Sequence, residues 1–236
     1  MALPDLTDTL LAALRRVDTP TVCNAIEVVQ GKRGFAGFTR GTLVASHPQN
    51  PAMVGFAVTA KLAGAAPPAE APAVIRARRM AYYRMMAEAP RPAVAVVEDV
   101  DFPGCVAAYW GEINTTVHKG LGLAGALTNG VVRDLGDLPD GFPVVAGSVG
   151  PSHGFAHLRE IGTPVRVFGL DVAPGDLVHA DRHGAVVIPP EVIPGLADGI
   201  ARLLDTERLI LEPARRPGFD FAAFEAAWTA FENART

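Results

Sequence analysis

Two oppositely charged residues stand side by side at the end of an apolar segment of this chain. The stretch LTNGVVRDL, residues 127–135, runs from an Asn129-Gly130 turn through two valines to Arg133 and Asp134. A guanidinium can hold the carboxylate of a ligand through two parallel hydrogen bonds, and an aspartate can bind a hard divalent cation. Adjacent Arg and Asp are also common in solvated turns, so the pair alone leaves open both a functional site and a plain salt-bridged turn.

A second carboxylate, Glu112, stands in the stretch WGEINTT, where Gly111-Glu112 opens a predicted short helix. The first amides of a helix have no partner within it and can hold a carboxylate. If the strands that flank the two stretches are neighbours, Glu112, Arg133 and Asp134 emerge at one sheet edge, where α/β sheets place ligands. One guanidinium, two carboxylates and a row of free amides could bind a hard metal ion together with a 2-keto acid.

The G-x-G-x-x-G pattern GLGLAG, residues 120–125, resembles a dinucleotide fingerprint in spacing only. That fingerprint needs a strand that runs into a helix, whereas here a predicted helix precedes a predicted strand. We therefore expect these glycines to let the helix end and the strand pack closely. The same reversed order argues against an adenosyl-methionine methyltransferase.

Two histidine pairs, His153/His157 and His179/His183, have the i, i+4 spacing of zinc ligands. That spacing puts both rings on one face only in a helix. A glycine interrupts the first pair and a predicted hairpin turn separates the second, so we expect surface or core histidines.

The composition predicts a soluble, cytoplasmic protein without a nucleic-acid or membrane partner. The formal net charge is −4, and the chain has no block of Lys and Arg that would suit a phosphate backbone. No apolar stretch reaches membrane-spanning length, and residues 1–20 place acids among leucines, as in an amphipathic helix and unlike a signal peptide. Cys23 and Cys105, the only cysteines, indicate neither a disulfide framework nor a nucleophilic Cys-His pair.

The elements that must position the charged residues follow from periodicity and turn residues. Helices are predicted over residues 6–17, 19–31, 74–89, 111–122, 191–215 and 219–234, with Thr19 as the cap of the second. Strands are predicted over residues 54–62, 92–99 and 142–147, a strand and turn over 123–130, and a helical turn over 133–141. The valine-rich segment 164–189 is cut by Pro-Gly-Asp and Arg-His-Gly turns, which predicts antiparallel strands. The β-α-β-α-β order favours a parallel or mixed sheet in a layered domain.

Two long stretches carry a family resemblance: WGEINTTVHKGLGLAGALTNGVVRDLGDLPDGFPVVA and PGDLVHADRHGAVVIPPE. Over about residues 19–191 the chain resembles the superfamily of the regulator of ribonuclease activity A and the 4-hydroxy-4-methyl-2-oxoglutarate aldolases. The most specific motif is an acid at a fixed interval before an Arg-Asp pair, met here by Glu112, Arg133 and Asp134, with Asp137 at the family's later acid. A second block of the family's sequence pattern corresponds to Gly175-Asp176, Ala180-Asp181, Gly184–Val187 and Pro189.

The resemblance implies an α/β fold of the layered β/β/α swivelling-domain type, with flanking N- and C-terminal helices. We expect one domain over residues 1–236, with the family core at about 19–191 and a C-terminal helical extension at 191–236. The family's assembly implies a homotrimer or a hexamer made of two trimers.

The resemblance also implies roles for the charged residues. Asp134 would bind a divalent cation, Mg²⁺ or Mn²⁺, and Arg133 would contact the keto acid as a catalytic residue. The loop Gly111, Glu112, Ile113 and Asn114 would bind the substrate carboxylate through amides, with Glu112 also orienting a water ligand of the metal.

Two departures from the family pattern concern this implied site. Asn24 stands where many relatives have aspartate, which we expect to be structural. The residues INTT replace a more apolar loop, which we expect to change which substrate fits. Glu207 is a further candidate, as a contribution from the C-terminal helix of a neighbouring subunit.

The implied function is a metal-dependent, class II aldolase: a lyase that cleaves a 2-keto acid to release pyruvate, or that decarboxylates oxaloacetate. The alternative from another class is a non-catalytic regulator that binds a ribonuclease or its helicase partner, and a scaffold without activity is a third possibility. The family contains aldolases and regulators, and fold does not choose between them.

Aldol cleavage must place a developing carbanion either on a protonated Schiff base or on an enolate bound to a cation. The lysines are Lys32, Lys61 and Lys119. Only Lys61, on a predicted strand, is a serious Schiff-base candidate, yet nothing near it in sequence explains a depressed pKa. We therefore expect the metal to be the electron sink.

Overall fold

The computed structural model describes residues 3–235 and is a mixed α/β fold. Its strands are β1 (Val44–Ala45), β2 (Met53–Ala63), β3 (Ala93–Asp99), β4 (Ala126–Thr128), β5 (Val131–Val132), β6 (Val144–Ala146), β7 (Ser148–Val149), β8 (His157–Ile161), β9 (Val165–Val167), β10 (Leu170–Val172), β11 (Leu177–Asp181) and β12 (Gly184–Ile188). Its helices are α1 (Asp8–Leu14), α2 (Thr19–Gln30), α3 (Pro72–Glu88), α4 (Glu112–Gly120), α5 (Ile193–Ala214) and α6 (Phe221–Arg235).

The largest sheet has the strand order β1-β6-β4-β3-β2-β11-β12, and β8 also pairs with β2. Neighbours among β2, β3, β4 and β6 are parallel, whereas β1, β8, β11 and β12 pair antiparallel. β9 and β10 form a separate antiparallel pair. The predicted mixed sheet and the predicted antiparallel strands of residues 164–189 are therefore confirmed.

The side chains of β3 explain why the sheet is a middle layer. Ala93, Ala95 and Val97 join the core beneath α3, whereas Val94 and Val96 join the core beneath β9 and β10. Alternate residues of a strand point to opposite faces, so this continuous apolar run is buried on both sides. A helical layer, the main sheet and the β9-β10 pair thus form the predicted β/β/α arrangement.

The predicted flanking helices form a third core against β12. Leu14 of α1, Ile26 of α2 and Leu196 of α5 pack there with Val186 and Ile188. α6 packs against α5. Within residues 3–235, no helix has the length and apolar character needed to cross a bilayer.

Two local predictions were wrong, and one strand pair was not predicted. Residues 133–141 form turns without a helix, because Asp134 has a φ of 56°, a left-handed conformation that an α-helix does not continue through. The short parallel pair of β5 and β7 was not predicted. The cap of α2 is Asp18, whose side chain accepts a hydrogen bond from the Thr21 amide (3.0 Å), whereas Thr19 is the first helical residue.

Candidate functional site

The two halves of the site meet because β5 lies beside the start of α4. Trp110 and Val132 form a parallel bridge, and the Arg133 amide donates to the Trp110 carbonyl (2.9 Å). This register places the Arg-Asp pair directly beside the first residues of α4. The neighbouring arrangement on which the sequence interpretation depended is therefore present.

The turn before β5 is tied to the end of β3 by Asn129. Its Oδ1 accepts a hydrogen bond from the Asp99 amide (2.7 Å), and its Nδ2 donates to the Asp99 carbonyl (3.1 Å). The residue is buried. The Asn-Gly turn of the LTNGVVRDL stretch therefore anchors the strand that carries Arg133.

Asp134 contacts both the first turn of α4 and Arg133. Its Oδ2 accepts hydrogen bonds from the Glu112 amide (3.1 Å) and from Arg133 Nε (3.2 Å). Arg133 Nη1 donates to the Ala108 carbonyl (2.8 Å), and Nη2 has no partner in the described chain. The Asp134 side chain is 37% exposed, and its Oδ1 accepts no hydrogen bond from residues 3–235. The pair therefore keeps one guanidinium edge and one carboxylate oxygen available for a ligand.

Gly111 is required by this close approach. A Cβ atom at position 111 would lie 2.5 Å from Asp134 Oδ2 and 2.7 Å from Arg133 Nε. Both distances are shorter than any carbon–heteroatom contact that a packed protein tolerates. A larger residue would therefore push the charged pair away from α4.

The helix start offers two of the four predicted amides. The Glu112 amide donates to Asp134 and the Gly111 amide donates to the Tyr109 carbonyl (3.2 Å). The first amide bonded within the turn is that of Thr115, to the Gly111 carbonyl (3.0 Å). Among the described residues, the amides of Ile113 and Asn114 therefore have no partner, and the positive end of the helix dipole adds to their affinity for an anion.

The side chains of the same turn differ in where they lie. Glu112 is exposed, and its carboxylate has no hydrogen-bond or ion-pair partner within residues 3–235. Ile113 is 72% exposed. Asn114 turns inward, where its Nδ2 donates to the Tyr109 carbonyl (2.6 Å) and its Oδ1 accepts from the Tyr83 hydroxyl (2.7 Å). Glu112 and Ile113 thus have exposed side chains at the helix start, whereas Asn114 has only its amide free there.

The donor set fits a loosely held, hydrated cation better than a closed cage. In the described part of the chain, no group of three or more His, Cys, Asp or Glu side chains is placed to hold a metal ion. Mg²⁺ commonly keeps several waters and uses one or two carboxylates together with substrate oxygens. Asp134 can supply one such carboxylate oxygen, and the exposed Glu112 is the first residue of the adjacent helix α4.

Lys61 is engaged in an ion pair. Its Nζ lies 2.9 Å from Glu160 Oε2, and the hydrogen bond to Glu160 raises the pKa of the Lys61 ammonium. A lysine that forms an imine needs a depressed pKa, which is the opposite direction. Lys119 donates to the Asp140 carbonyl (2.6 Å), and Lys32 is exposed beyond the end of α2.

Both cysteines have the wrong environment for a nucleophile. Burial raises the pKa of Cys23 to about 11 and that of Cys105 to about 12. Reactive cysteines have depressed pKa values, because the thiolate is the attacking form.

A buried polar cluster behind α4 was missed in the sequence. Burial lowers the pKa of His118 to about 4, so the ring is neutral. Its Nδ1 donates to the Asn114 carbonyl (2.5 Å), and its Nε2 accepts from the Tyr82 hydroxyl (2.7 Å). Thr115 and His118 lie three residues apart on one face of α4, and this spacing was the signal that two polar residues face inward.

Glu207 and Asn24 lie elsewhere in this copy of the chain. Both line a polar cavity of about 580 Å³ between α2, α5 and α6, which shares no lining residue with the Arg133 site. A contribution of Glu207 to the site of a neighbouring copy stays a prediction.

Comparison with known proteins supports the resemblance. A family model described as RraA-like, Aldolase/RraA, matches residues 19–187. An uncharacterized protein of Methanocaldococcus jannaschii is 35% identical over 107 residues, which is 44% of this chain and 51% of that protein. The chain therefore matches about half the length of that relative.

Solved structures show the same fold. An uncharacterized protein from Pseudomonas syringae has a TM-score of 0.67 at 21% identity, covering 100% of this chain and 96% of that one. Streptomyces coelicolor RraAS2, described as an unusual member of the RNase ES inhibitor RraA protein family, has a TM-score of 0.65 at 24% identity, covering 92% and 100%. At these identities the likeness concerns the fold alone.

Proposed function

The chain belongs to the RraA-like, Aldolase/RraA family, and we propose that it is a divalent-cation-dependent lyase that cleaves a 2-keto acid. The proposed reaction is a retro-aldol cleavage of the 4-hydroxy-4-methyl-2-oxoglutarate type that releases pyruvate, with oxaloacetate decarboxylation as a related activity. The proposal includes assembly as a homotrimer or hexamer.

One observation carries the proposal: unpartnered groups of opposite character converge at the start of α4. The free amides of Ile113 and Asn114 suit an anion, and the open Arg133 edge suits a second oxygen. The open oxygen of Asp134 suits a cation. A 2-keto acid that chelates a divalent cation presents both an anion and a cation to these groups. A plain salt-bridged turn would have no need of free amides and an open carboxylate oxygen.

Different residues of this chain bind the substrate carboxylate, stabilise the C2 oxygen and take up a proton. The two amides hold the C1 carboxylate, as helix N-termini hold anions. Arg133 donates to the C2 oxygen, and this interaction strengthens as negative charge builds there during bond cleavage. Glu112, which is exposed and unpaired, takes the proton of the C4 hydroxyl directly or through one water.

Asp134 would hold the cation. Bound Mg²⁺ or Mn²⁺ would supply Lewis-acid polarisation of the C2 carbonyl, worth several kcal/mol of charge stabilisation. The ion pair of Lys61 with Glu160 supports this route over an imine, because the amine is held in its protonated form.

A family that includes both lyases and non-enzymatic regulators makes binding to a ribonuclease the rival function. The experiment that separates them is a screen of 4-hydroxy-2-keto acids and oxaloacetate for pyruvate release, with Mg²⁺, with Mn²⁺ and with chelator. The lyase predicts release that chelator abolishes and added metal restores. No release from any keto acid, together with specific capture of a ribonuclease in a pull-down, would replace the lyase with the regulator.

A further inference from the structure

We infer that Tyr83 and Asn114 are positioning residues that hold the two free amides of α4 in place for the substrate carboxylate. The ligand in this inference rests on the proposed function. Its geometry rests on hydrogen bonds within the chain.

The first turn of helix α4 needs to be stabilised by contacts from outside the helix. It has nine residues, and its cap residue Gly111 offers no side-chain hydrogen bond. Isolated helices of this length are marginal in water, so tertiary contacts must fix the start. The amides that would bind the ligand belong to this first turn, and any fraying would move them.

The two hydrogen bonds of the Asn114 side chain form a bracket across that turn. Its Nδ2 donates to the Tyr109 carbonyl (2.6 Å), which lies two residues before Gly111. Its Oδ1 accepts from the hydroxyl of Tyr83 on α3 (2.7 Å). The incoming chain, the helix start and the outer helix are therefore joined by one amide side chain. An apolar residue of the same size could fill the space but could not join them.

The main chain of Asn114 is held from the other side. His118 Nδ1 donates to the Asn114 carbonyl (2.5 Å), and the Tyr82 hydroxyl donates to His118 Nε2 (2.7 Å). Tyr82 and Tyr83 are successive residues of α3, and the Tyr82 side chain is fully buried. Two tyrosines thus fix Asn114 through its side chain and through its carbonyl.

This hold is independent of the ligand, which the contact from Asp134 is not. Asp134 Oδ2 already accepts hydrogen bonds from both the Glu112 amide and Arg133 Nε, and a cation on the same carboxylate competes with that amide for its charge. The Tyr83 hydroxyl, the Asn114 side chain and the Tyr109 carbonyl bond to one another and not to the proposed ligand. The bracket therefore keeps the amides of Ile113 and Asn114 in register with Arg133 in both the free and the bound protein.

Three variants of the full chain test this role. Asn114→Ala removes the bracket, and Tyr83→Phe removes only the hydroxyl. Thr59→Val is the matched control, because it removes a similar buried hydrogen bond, from Thr59 Oγ1 to the Thr163 carbonyl (2.7 Å), on strand β2. Alanine is a better helix former than asparagine, so any loosening of α4 in Asn114→Ala cannot come from intrinsic propensity.

The first readout needs no ligand: the hydrogen-exchange rate of the Thr115 amide, which closes the first turn. We expect about a tenfold increase in Asn114→Ala and about a threefold increase in Tyr83→Phe, the sizes expected for lost hydrogen bonds. Thr59→Val should leave this rate unchanged once global stability is accounted for. Wild-type exchange at Thr115 in both site variants would overturn the inference.

The second readout is the KM for the keto acid beside kcat, with pyruvate binding followed at the Ile113 and Asn114 amides by NMR. Because the amides grip the carboxylate in both ground and transition states, we expect KM to rise about tenfold in Asn114→Ala with kcat within about twofold. Unchanged KM and unchanged amide shifts in that variant would overturn the positioning role. Faster Thr115 exchange in a protein whose wild type neither binds nor cleaves any keto acid would instead leave the bracket standing and remove the proposed function.

Discussion

Two aspartates in this molecule accept the first amide of a helix, yet their surroundings differ. Asp134 Oδ2 accepts from the Glu112 amide at the start of α4, and Asp181 Oδ2 accepts from the Thr19 amide at the start of α2 (3.1 Å). Both place a negative charge at the positive end of a helix dipole. The shared geometry explains why an aspartate occupies each position, but it does not say which one has a functional role.

The two aspartates differ in whether both of their carboxylate oxygens accept hydrogen bonds. Asp181 Oδ1 also accepts from the His183 amide (2.8 Å), and its side chain is only 9% exposed. Thr19 adds a hydrogen bond from its hydroxyl to His179 (3.1 Å), so the region around α2 leaves little unpaired. Asp134, by contrast, keeps one free oxygen next to two free amides. A helix-capping carboxylate therefore becomes a candidate ligand when its surroundings leave some of its hydrogen-bonding capacity unused.

The largest expected effect is that of Asp134→Asn. Asparagine tolerates the left-handed backbone at this position, so the turn should keep its shape. Loss of the carboxylate charge that would bind the cation directly should lower kcat/KM by about a hundredfold or more at low metal concentration, while the melting temperature stays close to wild type. Turnover equal to wild type would place Asp134 in the same structural class as Asp181.

Arg133→Lys should have the next largest effect. Lysine keeps the positive charge but loses the planar fork that can donate to Ala108 and to a substrate at the same time. We expect kcat/KM to fall by at least about tenfold, or about 1.4 kcal/mol. Kinetics within about twofold of wild type would mean that Arg133 only supports Asp134.

Asp181→Asn should show the opposite pattern: lower stability and unchanged chemistry. Burial opposes ionisation, but hydrogen bonds from His183 and Thr19 hold the pKa of Asp181 below its usual range. We expect the free energy of unfolding to fall by about 1–2 kcal/mol near neutral pH, with kcat/KM within about twofold.

The pH dependence of that loss has a definite sign. A carboxyl group with a lower pKa in the folded state stabilises the fold above its unfolded pKa, and this contribution disappears as pH falls through the folded pKa. Urea unfolding of wild type and Asp181→Asn should therefore differ near pH 7 and converge below about pH 4. A constant difference across this range would mean that ionisation of Asp181 is irrelevant.

The smallest expected effect is at Lys61. Borohydride with pyruvate should leave the mass of the protein unchanged, because the amine is protonated and paired with Glu160. Lys61→Gln should keep activity within about twofold, since the pair lies outside the candidate site. A pyruvyl adduct on Lys61 in the mass spectrum would overturn the cation-dependent mechanism.

Sequence reasoning located the charged residues of the candidate site but not the orientation of every side chain. The spacing of Glu112 from Arg133 and Asp134 indicated two segments that lie next to each other in the structure, because apolar runs and turn residues show where buried strands end. Asn114 was expected to bind the substrate carboxylate through its amide, and no role was predicted for its side chain. Its side chain turns inward because Tyr83 and the Tyr109 carbonyl lie there, and both come from segments whose approach no local pattern records.

Local sequence specifies the periodic elements, the mixed sheet and the antiparallel strands of residues 164–189. Those features depend on local propensity and on which residues alternate between apolar and polar. Which polar groups remain unpaired depends instead on contacts between distant segments. Asp181 and Asp134 each lie beside an arginine where a strand ends, and each accepts one amide from a distant helix start. The donors to Asp181 reach both oxygens of a 9% exposed side chain, whereas both donors to Asp134 reach Oδ2 of a 37% exposed side chain. That difference depends on strand register and helix placement, which no single stretch of sequence encodes.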